Sequence, residues 1–215
     1  AEGTDVALQY ELEGEQGHVL LVENAHDVSI KNLSIKNGSS KKGGGVFIRG
    51  SSPEFIDVNF RDNTSDEQGG AIYVLKGHPI IENSIINNNN SLSKGGGIYL
   101  NASSISINNT TIEDNDVDSG QSEPRWGGGI YSFNSALNIS NSSILNNNII
   151  PTGTTGSAPG GGIFIDNEER SQLGTNYFYN LEIRGNKSEY GSGIFIQNAS
   201  AEIRNCVISG NLSER

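Results

Sequence analysis

The residues best able to do chemistry in this 215-residue chain are its clustered acids, its three histidines and its aromatic rings. Glu113, Asp114, Asp116 and Asp118 stand close together, and Asp114, Asp116 and Asp118 are candidate oxygen ligands for calcium. The run lacks the glycine turn and closing Glu of a helix-flanked calcium loop, so a solvated acidic loop is the competing reading. His18, His26 and His78 lie too far apart for metal-ligand spacing and read as turn residues. Glycoside hydrolysis asks for two carboxyls flanking one sugar bond, and cleavage of an acidic polysaccharide for carboxylates around calcium with an Arg or Lys base. Asp57, Glu82, Glu202 and Arg204 are too scattered to supply three acids and a base at one place. Cys206 is single, so no disulfide framework exists. No catalytic set emerges, and a protein that is not an enzyme is expected, with calcium the one cofactor left open.

Stacking on sugar is the other chemistry on offer. Trp126 is the single tryptophan, and Phe47, Tyr73, Tyr99, Tyr131, Phe164 and Phe195 each occupy the same place after a glycine block. Rings in file along a flat sheet would form a platform for sugar faces. They also have an internal explanation, because the neighbouring glycines leave room for each ring to lie over backbone and stacked pairs add about 0.5 to 1.5 kcal/mol each. That second account is preferred, and it predicts partly buried rings despite their outward direction.

The elements that position these rings are repeats. Gly43-Gly44-Gly45, Gly69-Gly70-Ala71, Gly95-Gly96-Gly97, Gly127-Gly128-Gly129, Gly160-Gly161-Gly162 and Gly191-Ser192-Gly193 each introduce a β-branched residue and then the ring. A second block, Ile-x-Asn-x-x-Ile-x-x-Asn in outline, carries Asn32, Asp57, Asn83, Asn109, Asn141, Asn180 and Asn205 at its first polar position. Its copies from the second onward end in Asn63, Asn89, Asn115, Asn147, Asn186 and Asn211. The glycine blocks recur every 26, 26, 32, 33 and 31 residues, a solenoid period. Helical periodicity is absent, while Ile105-Ser106-Ile107 alternates as a strand does. The chain therefore reads as all-β: a parallel β-helix solenoid of about seven coils, one domain over 1–215, taken as a segment of a longer protein.

Equivalent residues of successive coils then stack about 4.8 Å apart. Ile98, Leu100, Ile105, Ile107 and Ile112 should point inward and Tyr99 outward. The column Asn32, Asp57, Asn83, Asn109, Asn141, Asn180 and Asn205 is expected at an inner corner. There its amides would bond one another and the turn backbone, covering polar groups that cost about 1 to 3 kcal/mol each if unpaired.

Gly69-Gly70-Ala71-Ile72 and Phe60-Arg61-Asp62-Asn63 are similar to the GGAI and FxxN tandem motifs of chlamydial-type polymorphic outer-membrane proteins. From about Val19 to its end the chain resembles the pectin-lyase-like right-handed parallel β-helix superfamily. The resemblance implies the fold. It implies no single activity, since the superfamily includes adhesins, autotransporter passengers, phage tailspikes, lyases and hydrolases. Most second blocks here carry Ile where the polymorphic proteins have Phe. The Asn-Thr-Asp, Asp-Asp and Gly-His-Gly motifs of the polygalacturonase-like hydrolases are absent, Gly77-His78-Pro79 being the nearest approach.

Two long connections, 116–126 and 149–159, should bulge side by side on one edge, and a third insertion, 167–177, on another corner; such insertions often carry a solenoid's binding function. Among many Asn-x-Ser/Thr sequons, Asn101, Asn108, Asn138 and Asn198 fall at outward or turn positions and are the glycosylation candidates if the chain takes a glycosylating secretory route. A net charge of −11, with Lys41-Lys42 as the one tight basic group, argues against nucleic acid. No apolar run is long enough to span a membrane. The expected function is a non-catalytic extracellular or cell-surface stalk, filament or adhesin segment. Its partners would be further coils or subunits of the same assembly, with glycans or a host surface touched through Trp126 or the aromatic column. The alternative is a polysaccharide-binding or polysaccharide-cleaving module.

Overall fold

The computed structural model describes residues 10–14, 16–118, 125–150, 158–168 and 174–213. Among them no helix is long and apolar enough to cross a membrane. All paired strands run parallel, and successive coils stack into a β-helix with three sheets. One seven-stranded sheet runs from Leu20–Glu23 through Val46–Arg49, Ile72–Leu75, Ile98–Asn101, Ile130–Phe133 and Ile163–Asp166 to Ile194–Gln197. A second, of short strands, runs from Ser39–Lys42 to Leu212–Ser213. The third, of thirteen strands, lies on both sides of a bend: Glu54–Arg61 passes through the bend unbroken, while the next coil divides into Ile80–Glu82 and Ile85–Asn87.

Register between coils is set by the repeat. Ile98 pairs with Ile72 and Ile130, and Tyr99 with Tyr73 and Tyr131. Because strands alternate faces, Ile72, Ile98, Ile130 and Ile163 enter the interior from one sheet, while Ile81, Ile107, Ile139 and Phe178 enter from another. They join one continuous core, each side chain contributing about 1.5 to 3 kcal/mol. The middle glycine of each block is a packing requirement: a Cβ on Gly70 would fall 2.2 Å from the Gly96 carbonyl oxygen and 2.5 Å from that of Asn90.

The expected inner column of Asn32, Asp57, Asn83, Asn109, Asn141, Asn180 and Asn205 is corrected by the structure. All seven are exposed and left-handed, with φ between 48° and 56°. The bend between the two strand segments needs a residue at positive φ, which Asn and Asp tolerate best. Such a residue interrupts the face alternation, so the following residue, Val58, Ser84, Thr110 or Ser142, turns inward instead. The exposed amides still stack in part, with Asn109 Nδ2 donating to Asn83 Oδ1 at 2.9 Å and Asn180 Nδ2 to Asn141 Oδ1 at 3.0 Å.

The buried ladder is the other Asn column. Asn63, Asn89, Asn115, Asn147 and Asn186 are at most 1% exposed. Each donates from Nδ2 to the Oδ1 of the next coil's Asn, ending at Asn211, over 2.9 to 3.0 Å. A hydroxyl ladder runs beside it, with the amides of Val58, Ser84 and Thr110 donating to the hydroxyls of Ser84, Thr110 and Ser142.

Candidate functional site

The aromatic column is continuous and closed. Phe47, Tyr73, Tyr99 and Tyr131 stack at 5.0 to 5.2 Å between ring centres, and Phe164 and Phe195 continue the column edge-on. Although they point out of the sheet, the first five rings are between 1% and 8% exposed. Leu75, Phe133 and Trp126 pack against them, and the Lys42 and Lys94 ammonium groups lie over Tyr73 and Tyr131. The preferred internal account is therefore followed further than expected, since the rings are buried rather than half-covered. Phe47, Tyr73, Tyr99, Tyr131 and Phe164 offer no open face for a sugar; Phe195 and Trp126 are only half-buried.

Trp126 stacks on Tyr131 at 5.7 Å and takes the Lys94 ammonium over its own ring at 4.2 Å. Tyr131 donates its hydroxyl to Asp166 Oδ2 at 2.9 Å. Burial first, then the Asp166 charge, pushes the Tyr131 phenol far up; burial, then Tyr73 and Asp166, does the same to Tyr99. Both phenols therefore stay protonated at neutral pH.

The acidic run does not close into a cage. Asp114 occupies an exposed bend with φ 51°, whereas Asp116, on the short strand Asp116–Val117, and Asp118, just past it, are half-buried. No group of three His, Cys, Asp or Glu side chains able to hold a metal occurs among the described residues. Burial, then the charges of Asp114 and Asp118, raises the Asp116 carboxyl to about 6. The two long connections do meet: Asp116–Val117 pairs with Asn148–Ile149, Val117 packs on Ile149 and Ala158, and Arg125 Nη1 donates to the Ile150 carbonyl at 2.6 Å. Their central parts, 119–124 and 151–157, and 169–173 of the third insertion, lie outside the described residues.

The sequon residues differ in access. Asn138 is exposed in mid-strand, and Asn198 is exposed but donates to the Asn167 carbonyl at 3.0 Å. Asn101 and Asn108 are half-buried, and Asn108 Oδ1 accepts from Ser140 Oγ and Asn141 Nδ2.

One concave site was not read from the sequence. A groove of about 410 Å³ follows the corner where the chain enters the thirteen-stranded sheet, crossing four coils. Parallel register places Ile80, Ser106, Asn138 and Tyr177 side by side along it, with His78 and Ser104 on one wall. His78 Nδ1 is 2.7 Å from Ser104 Oγ. Tyr177 is 38% exposed and stacks on Tyr179 at 6.1 Å. The Tyr179 hydroxyl donates to Glu202 Oε1 at 2.8 Å, and that bond raises its ionisation above the ordinary phenol value. Sequence comparison along the repeat could not find this site, because its four floor residues share a position but no chemical type.

Neither a curated protein nor a solved structure matches the chain. A family profile described as a right handed beta helix region matches residues 11–214. With its parallel coils, in-step register and buried asparagine column, the chain belongs to the right-handed β-helix family.

Proposed function

We propose that this chain is a non-catalytic, extracellular or cell-surface β-helix segment, working as a stalk or adhesin. The observation that carries the reading is the unbroken axial continuity of its stacked columns: the asparagine ladder passes its side-chain bond from Asn63 through Asn89, Asn115, Asn147 and Asn186 to Asn211, and the ring column runs from Phe47 to Phe195. Bonds and stacking repeated between successive coils suit a stiff rod that holds its two ends apart.

Electron microscopy of the native protein, with protease accessibility on intact source cells, tests this. Rod-shaped particles at least as long as the roughly 35 Å of seven stacked coils, accessible from outside, are expected. Particles with no rod, a protein shielded inside the cell, or release of cleaved ends from a polysaccharide would overturn it.

A further inference from the structure

We propose that Asn37-Gly38 is a deamidation site, closed in the folded chain by the first rung of the buried asparagine ladder, and that its conversion loosens the strand Tyr10–Glu13. It is the only Asn-Gly pair in the sequence, and two separate demands of the fold create it. Lys36 pairs with Arg61 and Ser39 with Thr64, which matches Asn37 to Asp62 and Gly38 to Asn63. Position 37 is therefore one of the bends held at positive φ, 58° at Asn37 and 57° at Asp62, where Asn, Asp and Gly are the tolerated types. Position 38 has no room for a side chain, since a Cβ on Gly38 would run into the Gly44 carbonyl oxygen. A side-chain amide is thus followed by the one residue type that puts no Cβ beside its own backbone nitrogen.

The step needs only water. The Gly38 nitrogen attacks Asn37 Cγ; its proton passes through water to the departing side-chain nitrogen, which leaves as ammonia, and a five-membered imide remains. Water then opens the imide at either carbonyl, giving aspartate or isoaspartate at position 37. The fold holds this step back. Gly38 is buried, and its N–H donates to Asn63 Oδ1 at 3.0 Å beneath a side chain with no exposure, so base cannot reach the proton. Asn63 is fixed in turn by donating to the Ile35 carbonyl at 3.0 Å and to Asn89 Oδ1 at 2.9 Å. Asn37 Nδ2 donates to Glu13 Oε1, which ties the amide to the neighbouring strand. Local opening of this edge exposes the pair without unfolding the rest. Either product then sets a carboxylate against Glu13 where a donor stood. Lys36, whose ammonium lies 3.9 Å from Glu13, screens that contact but does not restore the donor. Isoaspartate also lengthens the main chain by one methylene just where Gly38 must meet Asn63.

The test follows position 37 by peptide mapping with mass spectrometry and by an isoaspartyl methyltransferase assay. The full chain is made in a host that does not glycosylate, because Asn37-Gly38-Ser39 is also a sequon. It is aged at one mildly alkaline pH, folded in buffer and unfolded in urea. In urea Asn37 should convert ahead of every other asparagine, and in the folded chain at least about tenfold more slowly than in urea. Asn63→Ser, which takes the acceptor from Gly38, should restore most of the urea rate. Glu13→Ala, at an exposed side chain, should speed conversion about threefold or more and keeps the test decisive if Asn63→Ser does not fold. Asn37→Asp should lose hydrogen-exchange protection along Tyr10–Glu13. Conversion in urea no faster at Asn37 than elsewhere, equal rates folded and unfolded, unchanged rates in the folded variants, or full protection in Asn37→Asp would each overturn the proposal.

Discussion

Asparagine does two physically different jobs in this molecule. Asn115 donates to the Ile86 carbonyl at 2.8 Å and to Asn147 Oδ1 at 2.9 Å, and its own Oδ1 receives the backbone and side-chain N–H of Asn89. Asn115→Leu would strand those donors and that carbonyl in the interior. At about 1 to 3 kcal/mol for each unpaired group, denaturant unfolding should show a loss of more than about 3 kcal/mol. Asn109 holds a bend at φ 48° in contact with water. Asn109→Gly should change stability by less than about 0.5 kcal/mol, and Asn109→Val should cost about 1 to 2 kcal/mol, because a β-branched residue resists positive φ. Asp116 belongs to the same scale. Its carboxyl keeps a proton to about 6 in the fold against 3.8 as the ordinary value, so the folded chain binds more protons than the unfolded one in that window. Stability is therefore full below about pH 4 and falls as the pH rises towards 6. Asp116→Asn should gain about 1 kcal/mol at pH 7, after allowance for solvent screening, and nothing at pH 3, as read by melts at the two pH values.

At the scale of elements, the aromatic file works as an outer core fixed to one sheet. Its rings lie outside the sheet yet exclude water because stacked neighbours above and below, and side chains on both flanks, leave each little free surface. Tyr131→Ala should cost about 3 to 5 kcal/mol, as for other buried aromatics. Tyr131→Phe, which deletes only the bond to Asp166, should cost about 1 to 2 kcal/mol; the difference between the two variants in thermal and denaturant unfolding separates packing from hydrogen bonding. The recurrence of a ring beside each glycine block made this file legible in advance, and the room left by glycine predicted some burial. The depth of burial was not legible, because Trp126 and Phe133 reach the rings from positions that in other coils hold residues such as Lys94 and Asn101.

For the whole molecule, stability is a sum of coil-on-coil interfaces. The repeat by itself determined that the chain is a parallel solenoid, where each coil begins, and which apolar columns form the core. It could do so because the dominant contact joins like residues one period apart, and that contact is written in the sequence as identity. Which side of a bend each asparagine occupies was decided only in three dimensions, since one residue at positive φ, such as Asn83 or Asn109, reverses the inward and outward order as far as the next bend, at Asn88 or Asp114. The groove was likewise decided by tertiary structure: Ile80, Ser106, Asn138 and Tyr177 become neighbours through the pairing of four coils, and a surface made of unlike residues leaves no periodic trace.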